Sequence, residues 1–447
     1  MVDHSLSSMP YLPQELVDHI VDHLHDDPLT LSNCALVCHA WLSTSRLHLF
    51  SKISLNASSV RAPTDLCRRL HRLLTTSPSI ISNIHELEVV EGSPLAGGQV
   101  SPQAALHGGS RSTTWVATER TFPKLLRILT HLKRLEFGAS QPIPLYWGTL
   151  PPTLQHAIRH VFSLPSLTYI RLKSWSFANF AELAGLLACC RNLKGLALSS
   201  TSVSNDPGID GQSVLPVSGV TDPVANEGEI ESCGTRAADS GSRRCCLEFL
   251  TLDYADVAYL GHWLLNEKST VEIQSLRELR VAHYQLHEVN AIERLLVATG
   301  NSLEHFHLKP GTWEVHPLDL GLNSGLRSIR LTLENPESAL PWVKTLVSTI
   351  PPTNVLEHIG LEFYTDIKQL VEGWAELDSL LVRPELSGLR QVDIGLFAAP
   401  SHAEFLRVKE DLGGLRSRDI LRLYQLGIKS QRSSRQLMPR VSRYEYN

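Results

Sequence analysis

The sequence predicts an α/β protein: a small all-helical head at the N-terminus followed by a long array of strand-then-helix units. Two observations carry this. A dense apolar stretch with helix-start signals fills Tyr11 to Phe50, and from about residue 84 a six-residue apolar pattern recurs along most of the 447 residues. A third is compositional: charged residues are 19% of the chain, below the usual ~25%, and the net charge is only -5, which argues against a basic nucleic-acid-binding surface.

The head opens with Pro13, a residue suited to a helix start, and Leu16, Ile20 and Leu24 then follow at i, i+4 and i+8 with Val17 and Val21 beside them. That spacing predicts an amphipathic helix. Asp27-Pro28 predicts a second start, because an N-cap carboxylate and a ring without an N–H both suit the orphan donors of a first turn. The run behind it, Leu29, Leu31, Cys34, Ala35, Val37, Cys38, Trp41 and Leu42, is too apolar for a lone surface helix. About forty residues cannot bury all of this internally, so the head is expected to share its apolar surface with something else.

These residues resemble a family. Leu12-Pro13, Glu15-Leu16, Ile20 and Leu24, then Leu31-x-x-Cys34-x-x-Val37-Cys38-x-x-Trp41, look like the F-box of the fungal kind. The resemblance covers about a tenth of the chain and implies a three-helix module over 11–55 that docks on a Skp-type adaptor and, through it, a cullin. It implies that Leu12, Pro13, Leu16, Ile20, Leu24, Leu31, Val37 and Trp41 are adaptor-facing or core, without dividing the two roles. His39 departs from the pattern, since the family often has a basic residue there.

Residues 1–10 carry no period and are expected to be flexible; having no apolar run, they do not predict a secretory signal. Behind the head, Thr64 with Leu66, Leu70, Leu73 and Leu74 predicts a linker helix within 56–80. The array then spans 81–427. Its unit is an aliphatic residue, two variable positions, an apolar residue, one variable position and a second apolar residue. Ten copies begin at Ile84, Leu132, Leu167, Leu193, Leu247, Leu276, Leu303, Leu326, Leu356 and Leu389. Between them lie helical stripes such as Phe180, Leu183, Ala184 and Leu187; Ile292, Leu295 and Leu296; and Ile367, Leu370, Val371, Trp374, Leu377 and Leu381. Copies about 23 to 35 residues apart where no insertion intervenes describe an irregular leucine-rich-repeat-like solenoid, with parallel strands on the concave side and helices outside. The consensus Asn or Cys three positions after the last strand leucine is mostly missing, so the usual buried ladder is not expected. Segments 92–112 and 199–243 are poor in large apolar residues and read as disordered insertions, and 428–447 as a flexible basic tail.

With the fourth and sixth positions of each copy buried, the third and fifth face the concave side. They include Glu278, Arg280, His305, His307, Ser328, Arg330 and His358. Arg280, His307 and Arg330 share the fifth position of successive strands, a potential cationic stripe for an acidic or phosphorylated peptide. The plainer reading is a solvated polar face.

Catalytic and metal signals are weak. His19 and His23 are spaced like a zinc-protease pair, but Ile20 stands where the general-base glutamate belongs. The pairs Cys189-Cys190 and Cys245-Cys246 lack the separation that structural zinc uses, and no phosphate loop, nucleophile elbow or dinucleotide fingerprint is present. No cofactor, metal, catalytic residue, nucleic acid or membrane partner is expected. Eight scattered cysteines suit a reducing compartment, cytoplasmic or nuclear. The resemblance thus implies a substrate-recognition adaptor of a ubiquitin ligase, with an unidentified protein target on the solenoid; a plain interaction scaffold is the alternative. An enzyme built on the concave face has no convergent nucleophile, base and orienter in its support.

Overall fold

A computed structural model of the chain describes residues 12–56, 63–92, 114–139, 144–203, 244–311, 318–334, 336–364, 373–397 and 402–426. Residues 1–10, the greater part of the two expected insertions and the basic tail lie outside them. The described residues fall into two compact units, one ending at Leu193 and the other beginning at Lys194.

The first unit holds the helical head: α1 (Gln14–His23), α2 (Pro28–Cys34) and α3 (His39–Ser51). Helix α3 runs directly into β1 (Lys52–Asn56), which pairs in parallel with β2 (Glu86–Glu91). Next come β3 (Arg134–Ala139) and the strand Tyr169–Lys173, each parallel to the one before. The sheet therefore begins one repeat earlier than expected. Phe50-x-x-Ile53-x-Leu55 is itself a copy of the six-residue pattern, hidden because it overlaps the end of the head. Helix α4 (Pro63–Thr76), expected as a linker, lies between β1 and β2 as the helix of a strand-then-helix unit.

In the second unit eight strands pair in parallel in chain order: Gly195–Ser199, Phe249–Asp253, Glu278–Tyr284, His305–Pro310, Ser328–Leu333, His358–Phe363, Gln391–Phe397 and Leu421–Leu426. The last was not expected, because Arg418 occupies the position where the pattern calls for an aliphatic residue. At the other end, Ser199 closes the first strand and Ser202–Val203 form a short strand, so the second insertion starts later than residue 199.

The six-residue pattern maps onto burial in the ten expected copies, and in the copy at the end of the head Leu55 is buried while Phe50 and Ile53 are half-buried. All three apolar positions in all ten copies are at most 2% exposed. Registers align them: Leu196, Leu250, Leu279, Phe306, Ile329, Ile359 and Val392 are successive cross-strand partners. At about 25 cal/mol per Å², such in-register columns of aliphatic and aromatic residues are the main favourable contribution to the fold. The helical stripes hold where they are described: Leu183 and Leu187, and Ile292, Leu295 and Leu296, are buried. The last described helix with a predicted stripe covers Trp374–Leu381, while Ile367, Leu370 and Val371 lie outside the described residues.

Buried polar groups find their partners in neighbouring strand-and-helix units. Trp175, three positions beyond a strand leucine, is fully buried and its indole N–H donates to the carbonyl of Phe137 at 2.8 Å. Buried carboxylates cap helices across repeats: Glu288 accepts from the N–H groups of Val257 and Gln285, and Asp378 from those of Gly414 and Leu415. Buried Asn323 donates to the carbonyls of Leu296 and Gly300, closing a helix C-terminus. Such pairing is required because an unsatisfied buried polar group costs about 1–3 kcal/mol. Among the described residues no helix is long and apolar enough to cross a membrane.

Glu91 is a further cap, accepting from the N–H groups of Trp115 and Val116 at 3.2 and 3.1 Å. Burial pushes its carboxyl up to about 7 from an ordinary 4.5, and those two donors only partly oppose the rise. The neutral form is thus favoured on folding, so the stabilisation is full below pH ~4.5 and is lost as pH rises through about 7. Urea unfolding at pH 5 and pH 8 should show the wild type losing about 1–2 kcal/mol relative to Glu91→Gln over that interval. An unchanged difference between the two proteins would show that Glu91 is ionised throughout.

Candidate functional site

In the head, the carbonyl of Pro13 accepts from the N–H groups of Leu16 and Val17, so Pro13 is the N-cap of α1 and not its first residue. The Asp27 carboxylate accepts from the N–H groups of Leu29 and Thr30 at 3.1 Å, as its spacing predicts. Asp18 ties α1 to α3 by accepting from Thr44 and from Gln14, and those two bonds hold its carboxyl below the usual range. A hydrogen bond of 2.7 Å between Asp22 and His48 adds a second tie.

The apolar stripe of α1 is divided between two tasks. Val17 and Val21 join Leu31 in a buried core, against which Leu24, Trp41 and Leu49 pack. Leu12, Leu16 and Ile20 are 43%, 50% and 43% exposed, and Pro13 is exposed as well. Val37 is 65% exposed because residues 35–38 form the turn between α2 and α3, whose tip also presents Leu36. Of the eight residues singled out by resemblance, Leu31, Leu24 and Trp41 therefore serve the core, and Leu12, Pro13, Leu16, Ile20 and Val37 lie open.

The second candidate surface is the open face of the sheet in the second unit. Along Glu278–Tyr284, His305–Pro310 and Ser328–Leu333 the fourth and sixth positions are buried and the third and fifth are partly exposed. Register aligns Glu278, His305, Ser328, His358 and Gln391 in one row and Arg280, His307, Arg330, Gly360, Asp393 and Arg422 in the next. The seven residues expected here are neighbours as the spacing requires.

The stripe is not cationic along its length. Arg280 is bonded to Glu278, two residues earlier on its own strand. Burial, followed by the charges of Arg280, Arg330 and Lys309, pushes His307 down to about 3, so it is neutral at physiological pH. Lys309 pairs with Glu334 at 3.0 Å. Among the described residues Arg330 has no carboxylate within ion-pair distance, leaving it as the uncompensated charge of the three. The sequence lacks the signal for this because neutralisation depends on rotamer and burial and not on spacing.

Register also assembles a group that the sequence reading missed. The Nδ1 atom of His358 lies 3.2 Å from the Ser328 hydroxyl, and its Nε2 lies 2.8 Å from Oδ2 of Asp393. Gln391 Nε2 donates to Asp393 at 2.9 Å. Carrying the repeat register one strand past His358 would have revealed it. Beside it Gly360 is buried beneath its neighbours: a Cβ there would sit 3.4 Å from Arg330 Nε and 3.7 Å from His358 Cε1. Gly395 is needed nearby, since a Cβ would come within 2.9 Å of the Tyr424 ring, which crosses it to place its hydroxyl 3.4 Å from Glu362. Burial and then Glu362 push that phenol up to about 12, so it stays protonated.

Among the described residues no group of three His, Cys, Asp or Glu side chains is placed to hold a metal ion. No protein-family model matches this chain, and a search of curated proteins finds no match.

The depressed His307 has a measurable consequence. Its imidazole NMR signals should not titrate between pH 8 and pH 5, an interval in which an ordinary exposed histidine titrates near 6.5. Because the folded value lies below the unfolded one, this residue lowers stability progressively as pH falls below ~6.5. A His307 titration near 6.5 would contradict the burial that makes it neutral here.

Proposed function

We propose that this protein is a substrate-recognition adaptor of a cullin–RING ubiquitin ligase. Its helical head binds a Skp-type adaptor, and the strand-and-helix array, read as a leucine-rich-repeat-like solenoid, holds a protein target. The observation that carries the reading is the exposure of Leu12, Leu16, Ile20 and Val37, at positions where the head resembles an F-box. Val17 and Val21, about 100° further round α1, are buried, so Leu16 and Ile20 form the edge of the apolar stripe that the head's own core leaves uncovered. A partner that buried these side chains would gain about 1.5–3 kcal/mol for each large aliphatic residue fully covered.

The mechanism is proximity. A chain that binds the adaptor and the target at once raises the effective concentration of the target's lysines near the activated ubiquitin, with no bond chemistry required of its own residues. Cysteines scattered along the sequence with no regular framework suit action in the cytoplasm or nucleus.

The head separates binding from folding, which gives the test. Leu16→Glu with Ile20→Glu alters exposed positions, so the fold should keep its stability to within about 1 kcal/mol while co-purification with a Skp-type adaptor is lost. Leu31→Ala should cost about 2–5 kcal/mol of stability, because it empties a core position. Undiminished adaptor and cullin recovery with the Leu16/Ile20 double variant would leave an interaction scaffold as the better description.

A further inference from the structure

The cluster around His358 is not required by the packing of the sheet. Its members stand on the open face, where the His358 and Asp393 side chains are 24% and 18% exposed. The core is supplied by the alternate positions of the same strands. What the cluster does have is the order of partners that nucleophilic chemistry uses. A carboxylate only accepts, so the 2.8 Å contact with Asp393 puts the His358 proton on Nε2. Nδ1 is then a bare acceptor, and the Ser328 hydroxyl at 3.2 Å is its donor. Asp393 is in turn fixed by Gln391. Serine, base and orienter thus come from three adjacent strands, locked by the parallel register.

Charge completes the arrangement. The Arg330 side chain and the His358 ring both close over buried Gly360, which sets the guanidinium on the same side of the sheet as the ring. Backbone N–H groups of the strands are committed to the ladder and unavailable to an oxyanion. The Arg330 guanidinium, with no carboxylate in ion-pair range among the described residues, is available. We propose that Ser328, His358 and Asp393 form a second, hydrolytic site that cleaves carboxylic esters, independent of any role of the head.

In this reaction Ser328 Oγ bonds to the ester carbonyl carbon as its proton passes to His358 Nδ1, and the carbonyl electron pair moves onto oxygen beside Arg330. The carbon–oxygen bond to the leaving alcohol breaks as Nδ1 returns the proton to the departing oxygen, leaving Ser328 acylated. Water then attacks the acyl carbon, giving a proton to Nδ1. The bond to Ser328 breaks as that proton returns to Oγ, releasing the acid. Ser328 and His358 are the catalytic residues; Asp393 and Gln391 position the ring.

The test uses the full chain and a fluorophosphonate probe, which phosphonylates an activated serine with loss of fluoride. After digestion and mass spectrometry the wild type should carry the adduct on Ser328. Ser328→Ala, checked for native circular dichroism, should carry none, and His358→Gln should react about a hundredfold more slowly or worse. With p-nitrophenyl acetate, Asp393→Asn should lower kcat with KM unchanged, because the substrate's own contacts remain while the ring is no longer held in the tautomer that leaves Nδ1 bare. Absence of an adduct on wild-type Ser328, or equal labelling of Ser328→Ala, overturns the proposal. A kcat in Asp393→Asn equal to that of the wild type overturns the role given to Asp393.

Discussion

The structure depends on one constraint, the in-register burial of the fourth and sixth positions of the repeated pattern. Because side chains alternate along a strand, fixing those two positions decides the direction of every other. A slip of one residue would bring Arg280, Arg330 and Asp393 into the core and expose Leu279, Ile329 and Val392, at several kcal/mol for each unpaired buried charge. The open face is therefore a by-product of the core. Its rows, Glu278 to Gln391 and Arg280 to Arg422, exist because the leucines behind them cannot move.

This explains how much could be read in advance. The ten copies were legible because their three apolar positions fall within six consecutive residues and carry a spacing of their own. The two outer strands were less so, for different reasons. Phe50-x-x-Ile53-x-Leu55 fits the pattern but sits at the end of α3, and Leu421–Leu426 follows Arg418, which breaks it. The satisfaction of buried polar groups was invisible, since Trp175, Glu288 and Asp378 reach partners roughly 30 to 40 residues away that no local motif marks.

The candidate sites divide along the same line. Register predicted which open-face residues are neighbours, and it did so correctly for Arg280, His307 and Arg330. Charge state was beyond it: His307 loses its charge to burial and Arg280 is bonded to Glu278. The Ser328–His358–Asp393 relay lay within reach of the register and was missed only because the row was not followed to the next strand. In the head, i, i+4 spacing placed Leu16 and Ile20 with Val17 and Val21 in one broad stripe. Spacing cannot say which edge of such a stripe meets the core and which is left for a partner.

That division is the centre of the functional account: the leucines and isoleucine left open on the head's core are the side chains that the proposed adaptor contact would cover. Calorimetric titration of the full chain with a purified Skp-type adaptor at several temperatures tests it directly. A stoichiometric complex whose binding enthalpy becomes more negative on warming, the mark of apolar burial, is the expected result. Absence of binding, or binding with no heat-capacity change, would contradict it.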